Sequence, residues 1–217
     1  MQPEMPPDPT QEQVETVTEG VKTPAVYQVK RIELAGDPAG VTGSQIGQVE
    51  IRQKLQTAGQ RFGIDPSLAA AVVKTESGFN PRAVSSDGHA SKGLFQLLDS
   101  TGKDLLARGA QTDRPYDPFD PDLNIELGTS YLKYLHDIFK SPTSLPNDRS
   151  TKPAADDTSL EMLAVAAFNA GEGRVASAQH RAQRAGKDPA HYDNVAPFLP
   201  ASTREYVSRV VSSKKLF

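Results

Sequence analysis

Glu76, in the stretch KTESGFNP at residues 74–81, is the side chain with the most chemistry to offer. It closes the run SLAAAVVKTE, just before a Gly, an Asn and a Pro. If that run is a helix buried nearly all round, its last turn carries the carboxyl to the lip of the core. Desolvation there disfavours the anion and makes the group a proton donor. At an ordinary pKa of about 4.3, roughly one glutamate in 500 is protonated at pH 7, whereas a pKa near 6.5 gives roughly one in four. The difference is about 3 kcal/mol, within what burial supplies. Position alone favours the plainer reading, a solvated acid at a helix C-terminus. Other chemistries have less support. The chain has no cysteine, which excludes a thiolate zinc site, a Cys nucleophile and a disulfide framework. His89, His136, His180 and His191 are scattered without the i, i+4 pairing of a helical metal site, so no metal is expected.

Positioning such an acid needs a core, and 217 residues, 37% hydrophobic and 24% charged, suffice for one globular domain plus some chain without a core. A net charge of −3 argues against an electrostatic grip on nucleic acid. The longest apolar stretch, LAAAVV at 68–73, is far too short to span a bilayer, so an integral membrane protein is not expected. The first twenty residues lack the basic start and apolar centre of a secretory signal, which implies a processed form or another export route.

Residues 1–42 read as a Pro-rich, acidic, flexible arm, with one more apolar patch at 26–34 suited to a short strand or a partner-binding segment. The globular domain is expected over 43–217. Ser44 reads as the cap of a first helix through Ile46, Val49, Leu55 and Phe62, ended by Gly63. Asp65-Pro66 announces the helix that carries Glu76, ended by Gly78 and Pro81. GLFQLLDSTGKDLLARG reads as a helix, a Ser/Thr cap at 100–101 and another helix. Asp120-Pro121 opens the clearest amphipathic helix, with Leu123, Leu127, Tyr131, Leu135 and Ile138 on one stripe. Residues 141–158 read as an exposed insertion, followed by a helix ending at Gly171, a Pro-punctuated loop at 187–200 and a short terminal helix. Strand signals are few, so the fold is expected to be mainly α.

Four motifs, ESGFNP at 76–81, GLFQL at 93–97, FDPDLNIELGTSYL at 119–132 and AVAAFNAGEGRV at 164–175, stand in an order and near a spacing that matter together. They resemble the catalytic domain of bacterial lytic transglycosylases of the soluble (Slt) type, relatives of goose-type lysozyme, over roughly residues 46–211. The resemblance implies a mainly α, lysozyme-like α+β domain with an extended cleft for peptidoglycan glycan strands. It implies Glu76 as the sole catalytic acid and base, working without metal or cofactor. The resemblance supplies no second catalytic acid, although a two-carboxylate glycosidase would need one. Asp87, Asp99 and Glu172 lie nearby in sequence and match no catalytic position of the family.

The same resemblance places the Gln96 amide in the cleft, against the alternative of a helix-surface amide. Phe95 stands where many relatives have Met, and either stacks on a sugar or fills core. Phe168 stands where the family usually has Tyr with its hydroxyl near the acid, which leaves either a weaker enzyme or a substitute hydroxyl from Tyr131 or Tyr206. Asn169 either braces backbone or touches glycan, and Tyr131 is either core or cleft wall. Ser85 fits the family's cleft serine, with Ser86 and Ser91 as alternatives because the gap to Gly93 is long.

The expected function is that of a peptidoglycan lytic transglycosylase in the cell envelope or on a virion. The alternatives are a muramidase that admits water and a glycan-binding module that has lost turnover. The arm at 1–42 is a candidate for docking a partner protein.

Overall fold

A computed structural model describes residues 47–86, 88, 90–108 and 115–217. The arm at 1–42, its patch at 26–34, Ser44, Ile46, Asp87 and His89 lie outside the described residues. Helix α1 spans Gln48–Phe62, α2 Pro66–Ser77, α3 Asp99–Ala107 and α4 Pro121–Lys140. A small hairpin follows, β1 Ser144–Leu145 and β2 Arg149–Ser150, antiparallel with Ser144 opposite Ser150. Then come α5 Asp157–Ala170, α6 Glu172–Arg184, α7 Tyr192–Val195, a 3-10 turn at Ala196–Phe198 and α8 Ala201–Lys214.

Two of these helices form the centre. In α2 the run Leu68–Val73 is buried all round, and small alanines let neighbours approach closely; α1 and α8 pack on it. In α5 the run Leu163–Ala170 is buried likewise, with α4, α6 and α8 against it. Helix α8 therefore touches both central helices. Three acids start helices by accepting backbone N–H bonds: Asp65 from Ser67 (2.9 Å), Asp120 from Asp122 and Leu123 (2.9 and 3.2 Å), and Asp156 from Ser159 (2.6 Å). Each cap contributes about 1 kcal/mol.

The elements depart from the sequence pattern in several places, among them a short helix and a 3-10 turn inside the expected loop at 187–200. Helix α1 begins at Gln48 after Gly47 and buries Ile51, Leu55, Ala58 and Gly59, while Val49 is 71% exposed. Val49 precedes Ile51 by two residues, about 200° round the helix, so the two cannot share a face. GLFQL is a tight turn and not a helix, because Gly93 (φ 76°) and Gln96 (φ 47°) both adopt left-handed backbone. Helix α3 starts at Asp99 after Leu98, with no side-chain cap, and Thr101 is buried inside it. Residues 141–158 hold the hairpin, with Leu145 and Thr151 buried and Thr151 N–H bonded to the Thr143 carbonyl at 2.9 Å.

Helix α6 has no counterpart in the sequence reading. It buries Val175, Ala176, Ala178, Gln179 and Ala182, and the amide of Gln179 hooks both backbone groups of Lys152 and the carbonyl of Pro189.

Candidate active site

Glu76 occupies the last turn of α2, one residue before Ser77 and two before the left-handed cap Gly78 (φ 60°). The next residue, Phe79, is also left-handed (φ 68°) and buried, so the chain turns away sharply from the acid. The Glu76 side chain is only 5% exposed. Its Oε1 accepts a hydrogen bond from the Tyr206 hydroxyl at 2.6 Å, and Oε2 has no hydrogen-bond partner among the described residues. Burial pushes the carboxyl from 4.5 up to about 7; the Tyr206 hydrogen bond and the positive charge of Arg209 pull the other way without winning. About half the population is therefore protonated at pH 7. Tyr206 lies wholly buried on α8, and burial, reinforced by the neighbouring carboxylate, holds its phenol well above 10. It stays a donor across the working range of pH.

Opposite this pair in the sequence motifs, the turn at 93–97 is riveted to α4. Asn124 accepts from the Phe95 N–H (2.8 Å) and donates to the carbonyls of Lys92 (3.2 Å) and Pro118 (3.0 Å). A Cβ on Gly93 would fall 2.3 Å from both the Asn124 amide nitrogen and the Pro118 carbonyl. The amide of Gln96 is committed to its own loop: Nε2 donates to the carbonyls of Ala83 (3.0 Å) and Gly93 (2.8 Å), and Oε1 accepts from the Ser91 hydroxyl (3.3 Å). Both polar atoms of the Gln96 amide thus have partners within the loop, which the amide braces. Ser91 in turn donates its N–H to the Ser85 hydroxyl (3.0 Å), while Ser85 N–H meets the Ser91 carbonyl (2.9 Å). Ser85 and Ser91 thus belong to one network, which Ser86 does not join among the described residues.

Phe95 is core: it is fully buried, with its ring against Gly128 and 6.2 Å from that of Phe168. Phe168 is buried too, 5.5 Å from the ring of Tyr131. Tyr131 stacks on Tyr134 at 6.2 Å; burial raises the pKa of Glu172, and its own backbone N–H, Arg108 and Tyr131 pull it back in part. Of the two hydroxyls that the absent one at Phe168 left in contention, Tyr206 is the one beside Glu76. Asn169 is buried, and its Nδ2 has no partner among the described residues. Glu172 is the acid whose burial sequence reasoning missed; its place as the first residue of the unread helix α6 was the only signal. Among the described residues no group of three or more His, Cys, Asp or Glu could hold a metal ion.

The helical fold is the lysozyme-like fold of the lytic transglycosylases. It superposes on an inactive mutant of the lytic transglycosylase Slt from Pseudomonas aeruginosa with a TM-score of 0.57, at 28% identity over 76% of this chain and 23% of that one. The 70 kDa soluble lytic transglycosylase of Escherichia coli gives 0.56 at 25% identity, over 75% and 23%.

Residues 53–190 match the family described as Transglycosylase SLT domain, and the chain belongs to that family. Among curated relatives, it is 35% identical over 125 residues to membrane-bound lytic murein transglycosylase C of Salmonella typhi and 34% identical to that of Klebsiella pneumoniae (strain 342). Each match covers 56% of this chain and 31% of the relative, so the chain matches about a third of the length of those proteins. No described helix is long and apolar enough to cross a membrane.

Proposed function

We propose that this domain cleaves the β-1,4 bond between N-acetylmuramic acid and N-acetylglucosamine in peptidoglycan, leaving a 1,6-anhydromuramic end. The observation that carries the reading is the buried carboxyl of Glu76, its pKa raised to about 7, with one oxygen on Tyr206 and the other without a hydrogen-bond partner among the described residues. Glu76 gives its proton to the glycosidic oxygen as the bond from C1 breaks, and the muramyl N-acetyl group assists at C1. The resulting carboxylate takes the proton of the C6 hydroxyl, and O6 closes on C1. One carboxyl serves twice and ends the turnover protonated again. Tyr206 steadies the anion formed between the two steps, because a hydrogen bond to a buried carboxylate is worth about 1.5–3 kcal/mol. The relatives' names, lytic murein transglycosylases, support the same reaction.

The serine–glutamine network of Ser85, Ser91 and Gln96 shapes the loop that faces the glycan, and the free Nδ2 of Asn169 is a donor for a substrate carbonyl. Phe95, Phe168 and Tyr131 back the cleft as packed aromatics. The substrate locates the domain in the cell envelope, with the arm at 1–42 as the segment that brings it to partner proteins there.

Mass spectrometry of muropeptides released from purified sacculi tests the proposal. The parent is expected to release anhydro ends and Glu76→Gln none. Reducing muramic ends from the parent would make it a muramidase, and equal release by both proteins would remove Glu76 from the chemistry.

A further inference from the structure

Arg209 follows Tyr206 by one helical turn on α8, and its guanidinium lies 5.9 Å from the centroid of the Tyr206 ring. That is within reach of a cation–π contact. The same ring carries the hydroxyl that meets Glu76 at 2.6 Å, so one phenol stands between the cation and the acid in a chain of contacts. Arg209 itself is exposed, whereas Tyr206 and Glu76 are buried.

We infer that Arg209 is a positioning residue for the reaction: its guanidinium orients and polarises the Tyr206 phenol and thereby favours the anionic state of Glu76 formed between the acid and base steps. This rests on the proposed role of Glu76. A guanidinium carries a permanent charge in proteins. A cation over the ring strengthens the O–H as a donor, and it acts most when Glu76 has given up its proton, which is where charge develops in the reaction. Its effect on both partners has the required sign, lowering the pKa of Glu76 and of Tyr206.

The other charged groups on the elements around Glu76 have other partners or face solvent. From α1, Arg52 lies over the rings of Phe79 (5.3 Å) and Phe217 (4.9 Å), Lys54 pairs with Asp122 and Glu50, and Arg61 pairs with Glu126. On α2 itself, Lys74 is exposed, 6.0 Å from the Phe217 ring. From α8, Arg204 donates to the Leu199 carbonyl and Lys214 binds Asp65 and Glu161, while Glu205 and Lys215 are exposed.

The test is an NMR titration of the Glu76 carboxyl in the full chain, assigned by its loss in Glu76→Gln, for the parent, Arg209→Met and Arg209→Lys. Arg209→Met keeps an apolar stem and removes the charge. Its Glu76 midpoint is expected higher than the parent's by roughly half a pH unit, because the cation is water-screened, and Arg209→Lys is expected to fall between them. With purified sacculi, the alkaline limb of the rate profile should move by the same amount, and maximal turnover should fall about threefold with KM unchanged.

Coincident midpoints for the parent and Arg209→Met would overturn the inference, as would a loss of thermal stability with no movement of the midpoint. The carboxyl titration decides the matter even if none of the proteins cleaves sacculi, in which case the proposed function fails separately. Should Arg209→Met not fold, the parent supplies the measurement: raising salt from about 0.01 to 1 M shrinks the screening length from roughly 30 to 3 Å and should raise the Glu76 midpoint. An unmoved midpoint would count against Arg209.

Discussion

Replacing Tyr206 with phenylalanine removes one oxygen from a wholly buried ring and leaves Glu76 Oε1 without its donor. Since that hydrogen bond lowers the pKa of Glu76, its loss moves the carboxyl above about 7 and carries the alkaline limb of the activity profile upward with it. Turnover on purified sacculi should drop by roughly 10- to 100-fold, the equivalent of a hydrogen bond to a charged group. An unchanged profile would remove Tyr206 from the mechanism. The acid was only half legible from its helix: Leu68–Val73 surrounds that helix with apolar side chains, but position alone favoured a solvated carboxylate, and the four motifs together singled it out. The phenol was legible only as one of two candidates. Tyr131 and Tyr206 have equivalent chemistry, and the choice depends on which helix lies across the end of α2, a matter of tertiary packing that local spacing does not encode. Gln96 shows the converse. Its amide suits sugar, but a left-handed backbone turns it back onto the carbonyls of Ala83 and Gly93.

Between elements, the contact of α4 with the 93–97 turn gives the sharpest expectation. A Cβ on Gly128 would sit 2.1–2.6 Å from atoms of the Phe95 ring. In an isolated helix, Gly128→Ala would gain up to about 1 kcal/mol from propensity; here the overlap outweighs it and the variant should lose about 1–3 kcal/mol. Denaturant unfolding would show this as a lower midpoint at unchanged slope, and a more stable variant would contradict the packing. Elements with Asp-Pro starts, α2 and α4, were readable because cap, proline and apolar stripe agree. Helix α6 was not, since its buried positions are mostly alanines and a glutamine, and Gly171 and Gly173 mimic a stop. The 93–97 turn was misread for the opposite reason: Leu94, Phe95 and Leu97 are apolar enough for a helix, but Gly93 and Gln96 close the chain on itself with the pair of bonds between Lys92 and Leu97.

For the whole molecule, the cost of keeping Glu76 in place depends on pH. Its folded pKa of about 7 lies above the ordinary 4.5, so the folded state holds the proton more tightly. The corresponding stability is fully present below about 4.5 and is lost as pH rises to about 7, to an extent of about 3 kcal/mol. Melting curves of the parent and Glu76→Gln at pH 5 and pH 8 isolate this contribution. The variant should gain on the parent by several degrees between the two, and parallel curves would mean that the carboxyl titrates as if exposed. Lys214 adds a second tie between the same helices, reaching Asp65 at the start of α2 (2.8 Å) as Tyr206 reaches Glu76 at its end. The acid and its phenol are separated by 130 positions in the chain. During synthesis, α2 leaves the ribosome long before α8, and until α8 docks Glu76 stands in water as an ordinary, ionised carboxylate. Any proton-donor role of Glu76 therefore waits until α8 has been made and has docked.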